Sequence, residues 1–294
     1  MSARTVWPST GRITLALLVA VPAAMAYPWS TTTGRWVLGV AIAVVLVLLA
    51  FWRGRHLTTI GWRRLALLRA RPATAGHPPV THSVADARTT VALRVLDEDT
   101  DDLPAELIAD YLDRYGVRCE SIRITRRRGP AGNATWVSLT VSAAANLAAL
   151  QARSAELPLR ETAEVVLRRL ADQLREAGWQ VSTAQPVVVP DLLGPQARQR
   201  WRAVADADQG FVAAYTVTDA TAVLAELRAL PSDEVWTVVE FTGGTTEPAT
   251  ACAIRSDELP GSPPLPFLRP QNGLQRDALD ALHPLSGRPL IART

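Results

Sequence analysis

Lysine is absent from this sequence, and all 31 of its basic side chains are arginines. The glycine-rich phosphate loop of many nucleotide hydrolases ends in Gly-Lys-Ser/Thr, so this chain cannot form that loop. The ATP-binding lysine of protein kinases and Schiff-base chemistry on a lysine amine are excluded for the same reason. Any process driven by these nucleotide-hydrolysing motifs would need a second protein.

Cysteine and histidine are scarce: the chain has two cysteines, Cys119 and Cys252, and four histidines. Both cysteines lie in strand-like runs, which favours buried free thiols and leaves a disulfide as the alternative. His77 and His82 fall in a Pro/Ala/Gly-rich linker with no convincing third ligand, where solvated histidines are the usual finding. His283 is the only histidine beyond that linker. We therefore predict no metal site, no cofactor and no enzymatic activity.

Acidic side chains are missing from the first 85 residues, which carry nine arginines. The remaining residues carry 22 arginines and 28 acids, so the net charge of +3 hides a basic first third and a mildly acidic remainder. A charge split between segments is more informative than the total.

Two apolar runs without a charge occur within the basic third, Ile13–Trp29 and Trp36–Trp52. At ~1.5 Å rise per residue each run spans about 25 Å as a helix, close to the roughly 30 Å of a bilayer's hydrocarbon core. The connection between them, Ser30–Arg35, is short enough to allow only a helical hairpin. We predict two transmembrane helices.

Aromatic and small residues add detail to the predicted hairpin. Ring side chains close the runs, as expected where helices meet lipid headgroups: Trp29, Trp36 and Trp52. Small residues in the second run would let a partner helix approach closely: Gly39, Ala41 and Ala43.

Six arginines follow the second run, in the stretch "WRGRHLTTIGWRRLALLRARP": Arg53, Arg55, Arg63, Arg64, Arg69 and Arg71. Because positive charge is retained on the cytoplasmic side, both chain ends are predicted to face the cytoplasm of a cell inner (plasma) membrane. The arginines then serve as a topology signal and a contact with anionic lipid. A helix contacting another protein is the alternative, whereas nothing in the sequence presents these arginines to a nucleic-acid groove.

The rest of the chain predicts an α/β (α+β) fold, with a mixed β-sheet and packed helices. We divide the sequence into a transmembrane hairpin (1–52), a basic juxtamembrane segment and linker (53–87), a cytoplasmic domain (88–256) and a Pro-rich tail (257–294). From Thr89 the patterns follow the order β-α-β-β-α-β, typical of a split βαβ unit, and from Phe211 part of that order recurs. A helix ending at Gly116 and another near 196–205 are also predicted.

Two short motifs have a chemical interpretation beside a structural one. Asp97, Asp99 and Asp101 contain the Asp-x-Asp pattern of many metal-dependent glycosyltransferases, but acids at a helix start are favoured by the helix dipole alone. The basic turn "RRRGPAGNAT", 126–135, could hold a phosphate, whereas an exposed hairpin tip is the ordinary interpretation. A membrane-tethered glycosyltransferase-like enzyme is therefore the alternative function.

The paired apolar runs, the exit "WRGRHLTTIGWRRL" and the helix-strand "LPLRETAEVVLRRLADQLREAGWQV" together resemble the EccE family of actinobacterial and mycobacterial type VII (ESX) secretion systems. The resemblance implies a structural subunit of an inner-membrane secretion complex, with EccB, EccC and EccD proteins as partners. An EccC-type ATPase would supply the energy, which fits the missing phosphate loop. It implies no catalytic residue, no nucleic acid and no small-molecule substrate.

The first apolar run also resembles a signal peptide, because Arg4 and Arg12 precede it and "AMA" at 24–26 resembles a cleavage site. Cleavage there would leave about ten residues before the second run. We expect N-terminal sequencing of the mature protein to find an uncleaved first run; a mature start near Tyr27 would refute the hairpin.

Overall fold

The computed structural model describes residues 51–52, 55–56 and 87–290, apart from residues 98, 101, 131, 155–156 and 246. The first two of these ranges form two short strands, β1 (Phe51–Trp52) and β2 (Arg55–His56), which pair in antiparallel fashion. The predicted spans otherwise lie outside the described residues. None of the helices within the described ranges has the length and apolar character needed to cross a membrane.

Among its described residues, the first half of the folded domain contains five strands, three α-helices and two 3-10 turns. Its strands are β3 (Arg88–Val95), β4 (Asp113–Arg114), β5 (Val117–Arg128), β6 (Ala134–Ser142) and β7 (Val181–Ser182). Its helical segments are α1 (Ala105–Ala109), the turn Asp110–Leu112, the turn Ala144–Asn146, α2 (Leu147–Gln151) and α3 (Leu159–Glu176).

The second half contains the remaining strands and helices. Its strands are β8 (Arg198–Gln199), β9 (Val204–Ala205), β10 (Phe211–Val217), β11 (Val235–Thr242), β12 (Ala249–Ser256) and β13 (Leu268–Pro270). Its helices are α4 (Ala220–Ala229) and α5 (Gln275–Leu282), with a 3-10 turn at Ala207–Gln209.

The predicted β-α-β-β-α-β order is present in the first half, where the strands lie in the order β7-β3-β6-β5. Without the two-residue strand β4, and numbered along the chain from β3 as 1 to β7 as 4, this is the order 4-1-3-2. It is the antiparallel sheet of a ferredoxin-like split βαβ unit. Every described strand pair is antiparallel, rather than the mixed sheet that we expected.

The second half repeats this arrangement, with strands in the order β11-β12-β10-β13. Numbered in the same way, this is 2-3-1-4. The repeat is incomplete, since the connection from β12 to β13 (257–267) is not helical and α5 follows the last strand.

Strands β5 and β11, which are numbered 2 in the two strand orders just given, join the halves into one sheet. Ser121–Arg128 pairs in antiparallel fashion with Val235–Thr242 over eight residue pairs. The two halves are therefore related by an approximate two-fold axis through this joint, and the centre of the sheet is the line where they meet.

One face of the sheet is covered by the helices that the split βαβ order predicts. Helix α3 buries the stripe Ala163, Val166, Leu167, Leu170 and Leu174 against β3, β5 and β6. In the second half, Val223 and Leu227 of α4 pack on β10, β11 and β12. The spacing of these apolar positions matches the helical period of 3.6 residues, the pattern typical of a helix with one buried face.

The opposite face is covered by segments that are not helical over most of their length. Helix α5, Leu192, Ala197 and Leu290 pack there around Trp136 and Trp236. The two indole rings stack with centroids 5.8 Å apart and planes at 10°. Since Trp136 belongs to the first half and Trp236 to the second, this contact spans the joint.

Two predicted helices were wrong in extent or type. The one expected to reach Gly116 ends at Leu112, because Asp113–Arg114 turns back as β4 to pair with β5. The one expected at 196–205 is a short hairpin of β8 and β9. There, Ala203 and Val204 face opposite apolar clusters, which requires the two-residue period of an extended chain.

Candidate functional site

Arg123 and Glu240 form a buried ion pair at the joint between the two halves. They lie directly opposite each other on β5 and β11, with side chains only 2% and 4% exposed. Arg123 donates from Nε and Nη2 to Glu240 Oε1 at 2.8 and 2.6 Å. Two charges buried this deeply are tolerated only when their remaining hydrogen-bonding atoms are also satisfied.

The C-terminal segment supplies those remaining partners. Arg123 Nη1 donates to the carbonyls of Ala281 (3.0 Å) and Ser286 (2.7 Å), and Nη2 donates to that of Arg288. All five N–H groups of the guanidinium are thus satisfied. Glu240 Oε2 accepts a hydrogen bond from the backbone N–H of Leu290 at 3.1 Å. The ion pair therefore fixes residues 281–290 across the sheet.

A second charged cluster lies on the same face of the sheet, further along the strands. It consists of Arg127, Asp206, Glu234 and Arg255. Glu234 Oε2 accepts a hydrogen bond from Arg255 Nε at 2.9 Å, and its Oε1 accepts one from Arg127 Nε at 2.6 Å. Arg255 also donates to Asp206 Oδ2 (2.9 Å) and to the carbonyl of Leu192 (2.7 Å). These bonds tie β5, β11 and β12 to the segment that crosses over them.

Glu234 remains charged in this cluster. Burial alone would raise its pKa, but hydrogen bonds from Arg127, Trp236 and Arg255 outweigh burial and hold the pKa below its ordinary value. The Trp236 bond runs from Nε1 to Glu234 Oε1 at 3.0 Å, so the stacked tryptophans are part of the same network.

The basic turn at 126–135 does not form a phosphate site, because its three arginines are committed to other parts of the chain. Arg126 donates to the carbonyl of Thr100 at 2.5 Å, and Arg127 to Glu234. Arg128 donates to the carbonyls of Arg228 and Leu230 at the C-terminal end of α4, where a cation is favoured by the helix dipole.

The described acids of this run, Asp97, Asp99 and Asp102, are not part of any metal-binding group in the structure. Asp97 accepts a hydrogen bond from the backbone N–H of Gln180 at 2.7 Å, Asp99 is exposed, and Asp101 lies outside the described residues. No group of three or more His, Cys, Asp or Glu side chains converges anywhere in the part of the chain that the structure describes. Nothing found here supports the glycosyltransferase alternative.

The two thiols are buried and free, as predicted. Burial raises the pKa of Cys119 to about 12, with a smaller contribution from the charge of Asp113. Burial alone raises the pKa of Cys252 to about 12. The nucleophilic thiolate is therefore not populated at neutral pH, and neither cysteine suits covalent catalysis.

A shallow groove of about 270 Å³ lies beside the turn between β4 and β5. It is lined by Asp113, Gly116, Arg118, Ala145, Asn146, Ala148 and Ala149. The Asn146 side chain is engaged by the backbone of Arg118 and the carbonyl of Ser142, and the groove wall contains no nucleophile beside a base.

The residues that the sequence singled out for membrane contact remain predictions. The structure places Trp52 in β1 and Arg55 in β2, while the others lie outside the described residues: Trp29, Trp36, Gly39, Ala41, Ala43, Arg53, Arg63, Arg64, Arg69 and Arg71.

Comparison with known proteins identifies the family of this chain. Residues 129–217 match the model of a family described as "Putative type VII ESX secretion system translocon, EccE". The chain is also similar to the ESX-3 secretion system protein EccE3 of Mycolicibacterium smegmatis, with 49% identity over 283 aligned positions, covering 94% of this chain and 88% of the relative. The chain belongs to the EccE family.

EccE3 of Mycobacterium tuberculosis is 47% identical over 301 aligned positions, covering 98% of this chain and 89% of that protein. The family relationship thus extends over nearly the whole sequence, including the residues outside the described structure. It confirms the resemblance found from the sequence, and it makes this chain a component of a type VII (ESX) secretion system.

Removing one partner of the buried ion pair should destabilise the domain strongly. We expect Arg123→Met or Glu240→Leu alone to lower the free energy of unfolding by about 3–5 kcal/mol, because each leaves an uncompensated buried charge. The double variant should cost less than the sum of the two. Urea unfolding followed by tryptophan fluorescence measures these values, and single variants within about 1 kcal/mol of wild type would contradict this account.

The low pKa of Glu234 predicts a pH-dependent contribution to stability. A carboxylate with a lowered pKa stabilises the fold above its unfolded pKa, near 4.5, and this contribution is lost as pH falls through the folded pKa. We expect Glu234→Gln to be less stable than wild type at pH 7, with the difference shrinking below about pH 4.5. The exposed Glu161→Gln is the control, and a pH-independent gap for Glu234→Gln would refute the prediction.

Proposed function

We propose that this chain is a structural subunit of an inner-membrane ESX-3-type secretion complex, anchored by its N-terminal hairpin. Its folded domain serves as a rigid cytoplasmic docking unit that supports assembly and stability of the translocon. The observation that carries the proposal is the near full-length similarity to EccE3 proteins of secretion systems. EccB, EccC and EccD type proteins are the proposed partners.

The way in which the buried charges of the domain are stabilised is more typical of a structural subunit than of an enzyme. Among the described residues, the buried charged side chains of Arg123, Glu240 and Glu234 are directed inward and hydrogen-bonded to other parts of the chain. A catalytic group needs an accessible atom whose protonation is poised for its task. A docking unit needs instead a surface that stays fixed while partners bind, and cross-sheet ion pairs provide that rigidity.

The N-terminal part of the sequence suggests how the protein would be oriented in the membrane. Two apolar runs and the arginines that follow them would place both chain ends in the cytoplasm. The folded domain would then lie next to the cytoplasmic domains of the neighbouring subunits. The lack of a lysine-containing phosphate loop means that an ATPase partner supplies the energy for transport.

Purification of the tagged full-length chain from its native membranes in mild detergent tests this function. We expect the other secretion subunits to co-purify in fixed proportion, as identified by quantitative mass spectrometry. Asp99→Ala is the matched variant for the enzyme alternative, and we expect it to leave both assembly and secretion at wild-type level. Recovery of the wild-type chain alone would overturn the proposal.

A further inference from the structure

An aromatic side chain occupies a turn that ordinarily excludes it. The pairing of Asp113 with Arg118 and Arg114 with Val117 leaves a two-residue turn, Tyr115–Gly116, between β4 and β5. Both turn residues have positive φ, 56° and 70°, a pair of conformations usually met by Asn-Gly. A tyrosine in the left-handed region is strained, and such strain is concentrated at functional positions.

Two arginines hold the Tyr115 ring in place on the surface. The guanidinium carbon of Arg169, from α3, lies 4.6 Å from the ring centroid, and that of Arg114 lies 5.3 Å from it. Arg114 also stacks on the buried Tyr111 at 5.0 Å and donates to Gln173 Oε1 at 2.9 Å. The Tyr115 side chain is nevertheless 48% exposed. These contacts order the group before any partner arrives.

No acid in the part of the chain that the structure describes forms an ion pair with Arg114 or Arg169. Elsewhere on α3, Arg160 pairs with Glu164 at 3.0 Å and Arg175 pairs with Asp172 at 2.7 Å. Among the described residues, Arg114 and Arg169 have no carboxylate within ion-pair distance.

An exposed apolar side chain adjoins the arginines. Val165 lies one helical turn before Arg169 on the same face of α3 and is 38% exposed. We call Arg114, Tyr115, Val165 and Arg169 the tyrosine–arginine patch. It combines an aromatic ring, an aliphatic contact and two unpaired positive charges on elements fixed by the core.

We propose that the tyrosine–arginine patch docks a carboxylate-bearing surface of a cytoplasmic partner protein. The inference rests on the proposed function, because it assumes that the partner is a subunit of the same complex. Tyrosine and arginine dominate the energetic centres of protein interfaces. Ordering of the side chains by stacking lowers the entropy lost on binding, and two unpaired guanidinium groups are complementary to Asp or Glu.

Tyr115→Asn separates docking from folding. Asparagine tolerates the left-handed conformation, which offsets the loss of ring stacking, so the unfolding midpoint should stay close to that of wild type. Binding of the partner should nevertheless fall at least about tenfold. Arg169→Gln should weaken binding in the same direction without disturbing the turn. Arg153→Gln, which changes an exposed arginine elsewhere on the domain, is the control and should bind as wild type.

The decisive measurement is photo-crosslinking in membranes, with a benzophenone amino acid replacing Val165 in the full-length chain. We expect an adduct to a peptide rich in Asp or Glu from one secretion subunit, identified by mass spectrometry. Its yield should fall at least about tenfold with Tyr115→Asn and remain unchanged with Arg153→Gln.

The outcomes separate this inference from the proposed function. An adduct only to lipid or to a second copy of this chain overturns the docking inference, as does an unchanged yield with Tyr115→Asn. In each of those cases the other subunits still co-purify with the wild-type chain, so the proposed function stands. Failure of the wild-type chain to recover any subunit overturns the proposed function itself.

Discussion

The structure depends on a pair of opposite charges buried where two half-sheets meet. Placing Arg123 and Glu240 in the interior carries a desolvation cost that their mutual attraction alone does not offset. The cost is met only because residues 281–290 bring three carbonyls and one N–H to the pair. The joint between the halves and the path of the C-terminal segment are therefore one feature.

The sequence predicted the elements whose burial follows a simple period. The β-α-β-β-α-β order from Thr89 and its partial recurrence from Phe211 follow from alternation and from a 3.6-residue spacing. The prediction failed where contacts with residues distant in sequence decide the local structure. Residues 196–205 are rich in helix-forming Ala, Gln and Arg, yet they fold as a hairpin because Ala203 and Val204 are buried on opposite sides.

The buried charges could not be recognised from local pattern. Arg123 alternates with Ile122 and Ile124, which in a sheet with one covered face places an arginine in solvent. That face is covered by chain from more than 150 positions further along, and no short window contains this information. For the same reason the arginines at 126–128 resembled an anion site: their partners Thr100, Glu234, Arg228 and Leu230 are distant in sequence.

The outer strands of the sheet have a consequence for how this family member meets its neighbours. At each end of the strand order lies a strand of only two residues, β7 on one side and β8 on the other. Strands this short offer too few free backbone groups to template another chain. Tandem duplication of a split βαβ unit would otherwise create a long ribbon prone to growth by edge pairing. Addition of another strand to β7 or β8 is thereby disfavoured.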